Sequence, residues 1–200
     1  LDAYNPDSVL SKKGLNTLLF SDPYAKLCCM AAFAARGNAL YVDLDTMFSA
    51  YLNAGIVKAD DIDVYLPSEG RFVGMLGDVL ARMQGRSLVI VDSINSFYAL
   101  HYGYYRRNER AGGNLNHLLS VLLMLLVRQG VSLGVPVLAT SMLRFRKEGG
   151  WKQSPASRRL LQKKSAARME AERTGDAVTL KVLFHESIPE GTEIEVTPLR

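Results

Sequence analysis

Two hundred residues with 48% apolar and 22% charged side chains fit one globular domain with a substantial core, and exclude a disordered chain. The net charge of +4 is modest, and the two cysteines, Cys28 and Cys29, are adjacent, which rules out a disulfide framework and suits a reducing compartment. His101, His117 and His185 lack ligand spacing, no signal-peptide pattern opens the chain, and the apolar run 118–127 is short for a bilayer span; no metal or membrane is expected, and the expected location is cytoplasmic.

Residues 1–14 form a polar lead-in, and LNTLLF at 15–20 is a short apolar strand. Alanines at 25–36 predict a helix that stops at Gly37. ALYVDLD (39–45) predicts a second strand, followed by a short helix ending near Gly55. DIDVYLP (61–67) reads as a third strand, and 72–83 is apolar at helical spacing. SLVIVDS (87–93) is a continuous β-branched run, as a centre strand covered on both faces requires. A polar, aromatic loop is expected over 97–114, then a helix to Gln129 buried on most sides, then the strand VPVLATS (135–141). Alternating strands and helices predict βαβ units and a mostly parallel twisted sheet with helices on both faces, spanning 15–143. A basic loop follows at 144–162. Residues 163–200 alternate apolar and polar side chains between turns at 174–176 and 189–191, which predicts antiparallel strands extending one sheet edge.

The order of these features resembles the RecA/RadA/KaiC recombinase-type ATPase core over nearly the whole chain. YVDLDTMF (41–48) resembles the second core strand, with Asp45 where the family carries a catalytic glutamate. LVIVDS (88–93) resembles the Walker B strand and puts Asp92 at the magnesium position. VLATSML (137–143) resembles the strand whose glutamine senses the γ-phosphate, and Met142 stands there instead.

The phosphate loop departs from the family pattern. GxxxxGK[ST] uses glycines so that backbone N–H groups can converge on phosphates, a lysine for charge and a hydroxyl for Mg²⁺. With Lys26 on the motif lysine, the segment is FSDPYAKL (20–27): Phe20 and Ala25 replace the glycines, and Leu27 replaces the hydroxyl residue. Asp22 adds negative charge to the cradle and Pro23 removes a donor. No cofactor is therefore expected, and Lys26, Asp45 and Asp92 are read as catalytic remnants in a pseudo-ATPase. Each has a plainer reading: Lys26 as a solvated charge, Asp45–Thr46 as a helix cap, Asp92 as a hydrogen-bond anchor, and the cysteines as small core residues.

Two segments combine positive charge with flat rings. Tyr104 runs into Arg106 and Arg107, and Trp151 lies among Arg144, Arg146, Lys147, Lys152, Arg158, Arg159, Lys163 and Lys164. Such segments attract phosphates and stack unpaired bases, although a charge run is often only a solvated face. Both fall where the resemblance places the family's DNA-binding loops. The resemblance therefore implies a paralogue without ATP turnover, serving DNA repair or recombination by binding DNA (single-stranded) or a RecA/RadA-type recombinase, or by forming a homodimer. The alternatives are a divergent ATPase still binding ATP and Mg²⁺ weakly, and a scaffold without nucleic-acid contact.

Overall fold

The apolar runs of the sequence become strands buried along almost their whole length, β1 (Leu15–Phe20), β2 (Ala39–Asp43) and β4 (Leu88–Asp92), which demands cover on both sheet faces. The computed structural model describes residues 6–67, 71–105, 111–147, 151–155, 161 and 164–199. Between and after these strands come α1 (Pro23–Ala34), α2 (Met47–Asn53), β3 (Ile62–Tyr65), α3 (Phe72–Arg82), α4 (Ile94–Tyr105), α5 (Ala111–Leu133), β5 (Val137–Lys147), β6 (Trp151–Pro155), β7 (Ser165–Thr174), β8 (Ala177–His185) and β9 (Glu193–Val196).

The strands form a nine-stranded sheet in the order β3-β2-β4-β5-β1-β7-β8-β9, with β6 paired to the extension of β5. Pairing is parallel from β3 through β7, and β8 and β9 continue it antiparallel. The antiparallel tail is β7, β8 and β9, and β7 joins it to the sheet by lying parallel to β1, Met169 opposite Leu18. Two cores cover the sheet. Phe33 of α1 and Phe48 of α2 pack on one face, and Leu76 of α3, Phe97 of α4 and Leu123 of α5 on the other.

Three expectations are corrected. The segment 97–114, read as a loop from its polar, aromatic character, carries most of α4 and the start of α5. Ile94 and Phe97 anchor α4 in the core, so tertiary burial overrides weak local propensity. The segment 144–162 is not all loop: β5 runs on to Lys147 and pairs antiparallel with β6. Helix α5 is not buried on most sides. It buries Leu115, Leu119, Leu123 and Leu126 and exposes Val121, Leu125 and Val131. Its stretch Leu115–Leu133 is long and apolar enough to cross a membrane by length and composition, because helical apolar residues continue past 127. In this fold it lies along the sheet as one layer.

At its end α5 approaches β5 closely. A methyl group on Gly130 would lie 2.5 Å from the Val135 carbonyl oxygen and 2.8 Å from Val137 Cγ2. Alanine gains up to about 1 kcal/mol in helix propensity over glycine, but a clash with backbone costs about 1–3 kcal/mol. Gly130→Ala is therefore expected to lower stability by about 1–2 kcal/mol in urea denaturation; a more stable variant would contradict this packing.

Candidate functional site

The site lies where β1, β2, β4 and β5 end and α1 begins. Asp22 caps α1 in extended conformation and Pro23 follows at the first helical position, a pairing that suits a helix start. The Asp22 carboxylate accepts from the Tyr24 N–H at 2.7 Å and the Ala25 N–H at 3.0 Å, while the Lys26 N–H goes to the Asp22 carbonyl at 3.1 Å. Pro23 has no N–H to offer. The amides that a phosphate loop would turn toward its ligand are thus occupied by the chain's own side chain and backbone.

Lys26 is not a solvated charge: it is 1% exposed and points inward from α1. Its Nζ lies 2.9 and 3.1 Å from the two oxygens of Asp92 and 2.9 Å from Asp45 Oδ2. Those contacts use all three ammonium donors. Burial works against the charge, but the carboxylates of Asp92 and Asp45 outweigh it and hold the lysine pKa above its ordinary value. Phe20, at the first glycine position, places its ring 5.4 Å from the ammonium.

Asp92, fully buried at the end of β4, is the anchor. Beyond Lys26 it accepts from the Tyr41 hydroxyl of β2 at 2.6 Å and from the Thr140 hydroxyl of β5. Burial and the neighbouring Asp92 raise the Tyr41 pKa well above its ordinary value, so the phenol stays a donor. Asp45 caps differently from the expectation. Thr46 is the N-cap of α2 but makes no side-chain cap bond, and Asp45 Oδ1 instead accepts from the Met47 N–H at 3.1 Å.

Sequence reasoning missed Asp43. It ends β2 directly opposite Asp92, and its Oδ2 accepts from the Ser49 N–H at 2.8 Å while its buried Oδ1 has no hydrogen-bond partner. Burial raises its pKa to about 6, against the pull of hydrogen bonding to Ser49, and the charges of Asp45 and Asp92 add to the rise. The signal was present in YVDLD, where two aspartates share strand parity. Asp43, Asp45 and Asp92 bring ligand atoms within 4.8 Å of one another. This acidic trio does not fit Mg-ATP, because an ammonium already bridges two of its members, Leu27 offers no hydroxyl, and Asp22 covers the α1 amides. The cysteines are core residues: both are buried in α1, and burial raises Cys29 to about 12.

Above Lys26 a cavity of about 240 Å³ remains, lined by Phe20, Pro23, Asp45, Met47, Asn95 and Met142 among others. Asn95 Oδ1 fixes its floor by accepting from the Met142 N–H at 2.7 Å. Of the residues expected to touch DNA, Arg144 also lines this cavity. The β5–β6 register pairs Arg146 with Lys152, Lys147 with Trp151 and Arg144 with Ser154. Arg144 and Lys164 are exposed, and Tyr104 lies in the last turn of α4. Arg106, Arg107, Arg158, Arg159 and Lys163 lie outside the described residues.

No known family profile matches the chain. No curated protein sequence matches it either. The crystal structure of the RadB recombinase is similar, with a TM-score of 0.72 and 18% identity over 97% of this chain and 93% of that one. The fold is thus the RecA/RadA-type recombinase core, a mostly parallel sheet with an antiparallel C-terminal extension.

Two outcomes follow from the ion cluster. Removing one partner of a buried ion pair costs about 3–5 kcal/mol, so Lys26→Ala is expected to lose stability on that scale in urea denaturation. Lys26→Met with Asp92→Asn should recover part of the loss, since no unpaired charge is left; a stable single variant would mean the ammonium is not buried. The second outcome concerns Asp43. Because its folded pKa is raised, its contribution to stability is full below the ordinary value of about 3.9 and is lost as pH rises through about 6. Asp43→Asn removes the ionisation. The variant should gain on wild type by up to about 3 kcal/mol between about pH 4 and about pH 7, measured by urea denaturation at several pH values. A constant difference would show that Asp43 titrates normally.

Proposed function

We propose that this chain is a RecA/RadA-like core without ATP binding or turnover, acting as a DNA-binding or recombinase-binding accessory in DNA repair and recombination. The observation that carries the first half is the filled phosphate loop. Asp22 lies on the Tyr24 and Ala25 amides, and Lys26 is saturated by Asp92 and Asp45. A nucleotide would have to displace a carboxylate from a helix N-terminus and break a buried ion pair before making any bond of its own. The likeness to the RadB recombinase, together with the basic ribbon of β5 and β6, supports the second half. Single-stranded DNA suits the basic sequence of these segments and the rings of Trp151 and Tyr104, which would offer phosphate attraction and stacking. A homodimer or a complex with a RecA/RadA-type recombinase is the protein partner this reading favours, in a cytoplasmic setting.

The test has two arms on one preparation. Calorimetry with Mg-ATP is expected to give no heat of binding, and a micromolar dissociation constant abolished by Lys26→Ala would favour the divergent ATPase. Titration of single-stranded DNA is expected to show affinity falling with salt, with a log–log slope of about −0.7 per phosphate neutralised. Arg158→Glu with Arg159→Glu should weaken all sequences alike and flatten that slope. Trp151→Ala should cost about 1–3 kcal/mol with little change in slope. Absence of binding at low salt would leave the scaffold reading in its place.

A further inference from the structure

Strand β5 changes partners partway along, and a side chain from α4 holds the point of change. Strand β4 accompanies β5 only from Val89 opposite Val137 to Val91 opposite Ala139, and β1 stays beside it as far as Phe20 opposite Met142. From Leu143, opposite Pro155, β5 pairs with β6. Where β4 stops, two side chains of the β4–α4 junction bind β5 in its place. The Thr140 hydroxyl donates to Asp92, and the Met142 N–H donates to Asn95 Oδ1 at 2.7 Å. The Ser141 hydroxyl lies 3.4 Å from the same oxygen. Asn95 is the second residue of α4, where asparagine is a poor helix former and ordinarily bonds the backbone of its own turn. Ser93 serves that turn instead, its Oγ accepting from the Ser96 N–H at 3.4 Å and its carbonyl from the Phe97 N–H at 3.2 Å. Ile94 and Phe97, both fully buried, fix α4 in the core behind it.

The two elements joined by Asn95 lead to the two segments of the DNA-binding reading. From Asn95, α4 rises about 14 Å to Tyr104 in its last turn. From Met142, β5 runs about 17 Å to Lys147, past the exposed Arg144. One strand can reach both ends, since single-strand sites on proteins cover roughly 4–16 nucleotides. We propose that Asn95 is a positioning residue for DNA binding: it sets where β5 leaves the sheet, and so places the β5–β6 ribbon relative to the end of α4 for one strand to engage both. Asn95 is half-buried and uncharged, so it acts through the ribbon it holds and not through a phosphate contact of its own. Two weak contacts on one ligand reinforce each other only when their spacing is fixed, because the second then binds at a high effective concentration. The inference rests on the DNA-binding reading of the proposed function and needs nothing from the phosphate loop.

Fluorescence anisotropy of the full chain with labelled oligothymidines of about 4 and about 16 nucleotides tests it, alongside amide hydrogen exchange at Met142. The wild type is expected to favour the longer strand strongly. Asn95→Leu keeps the size of the side chain but removes the acceptor. It should speed exchange at Met142 and lower the long-strand affinity about tenfold, while the short-strand affinity stays within about twofold. Asn95→Asp restores an acceptor for the Met142 N–H and should recover both the protection and the long-to-short ratio. Its added negative charge weakens both strands, which is why the ratio is the readout. Ser93→Ala weakens the start of α4 but leaves the Met142 bond, and should leave the ratio unchanged in a protein that still unfolds cooperatively. Failure of the wild type to bind either strand would remove the DNA reading and this inference with it. Binding without a long-strand advantage, an equal fall on both strands in Asn95→Leu, or a ratio that Asn95→Asp fails to recover would overturn the role of Asn95 alone.

Discussion

A lysine ammonium enclosed by protein has to be matched by carboxylates, and that requirement organises the whole C-terminal edge of the sheet. Lys26 reaches from α1 to Asp92 at the end of β4 and to Asp45 after β2. Tyr41 of β2 and Thr140 of β5 then complete the Asp92 carboxylate. Helix α1, the ends of three parallel strands and the start of α2 are thereby fixed on one positive charge. The same bonds consume what a phosphate would use. Stability and, in the proposed reading, loss of nucleotide chemistry are two consequences of a single arrangement.

The helix start closes the argument from the other side. An N-terminus of an α-helix offers unpaired amides and a positive field, and this is what phosphate loops exploit. In this chain Asp22 supplies the negative charge from within, two residues before the first amide it accepts from. An internal carboxylate is always present at the site, with no loss of translational freedom on binding, whereas a nucleotide must lose that freedom. Pro23 and Phe20 reinforce the closure, one by removing a donor and the other by filling the space beside the ammonium.

Much of this was legible in the sequence, and the limits have physical causes. β1 and β4 announce themselves as continuous apolar runs, and α1 as an alanine-rich segment stopped by Gly37, because those signals are local. The capping Asp22–Pro23 pair is local too, and its charge in the cradle was readable directly. The burial of Lys26 was not, because it depends on partners 19 and 66 residues away in the chain. Asp43 was hidden by the alternation of YVDLD, where the residue at the strand end is settled only once β2 is in register with β4. Helix α4 was hidden by Asn95, Gly103 and a run of aromatic residues with weak helix propensity, and only the packing of Ile94 and Phe97 decides otherwise.

The resemblance puts Lys26, Asp45 and Asp92 where nucleotide chemistry would require them, yet their presence carries little weight as evidence for turnover. In a working phosphate loop the lysine meets a charge partner in the bound phosphates. Here the partner is built in, so each residue is needed by the others whether or not a nucleotide ever arrives. Replacing one leaves a buried unpaired charge, which costs several kcal/mol out of a total stability of about 5–15 kcal/mol. Replacing the group together costs far less, but that takes simultaneous changes on α1, β4 and the loop after β2. An ion cluster of this kind therefore persists for reasons of folding alone. By the occupancy of donors and acceptors, Lys26 and Asp92 are full while Asp45 is not.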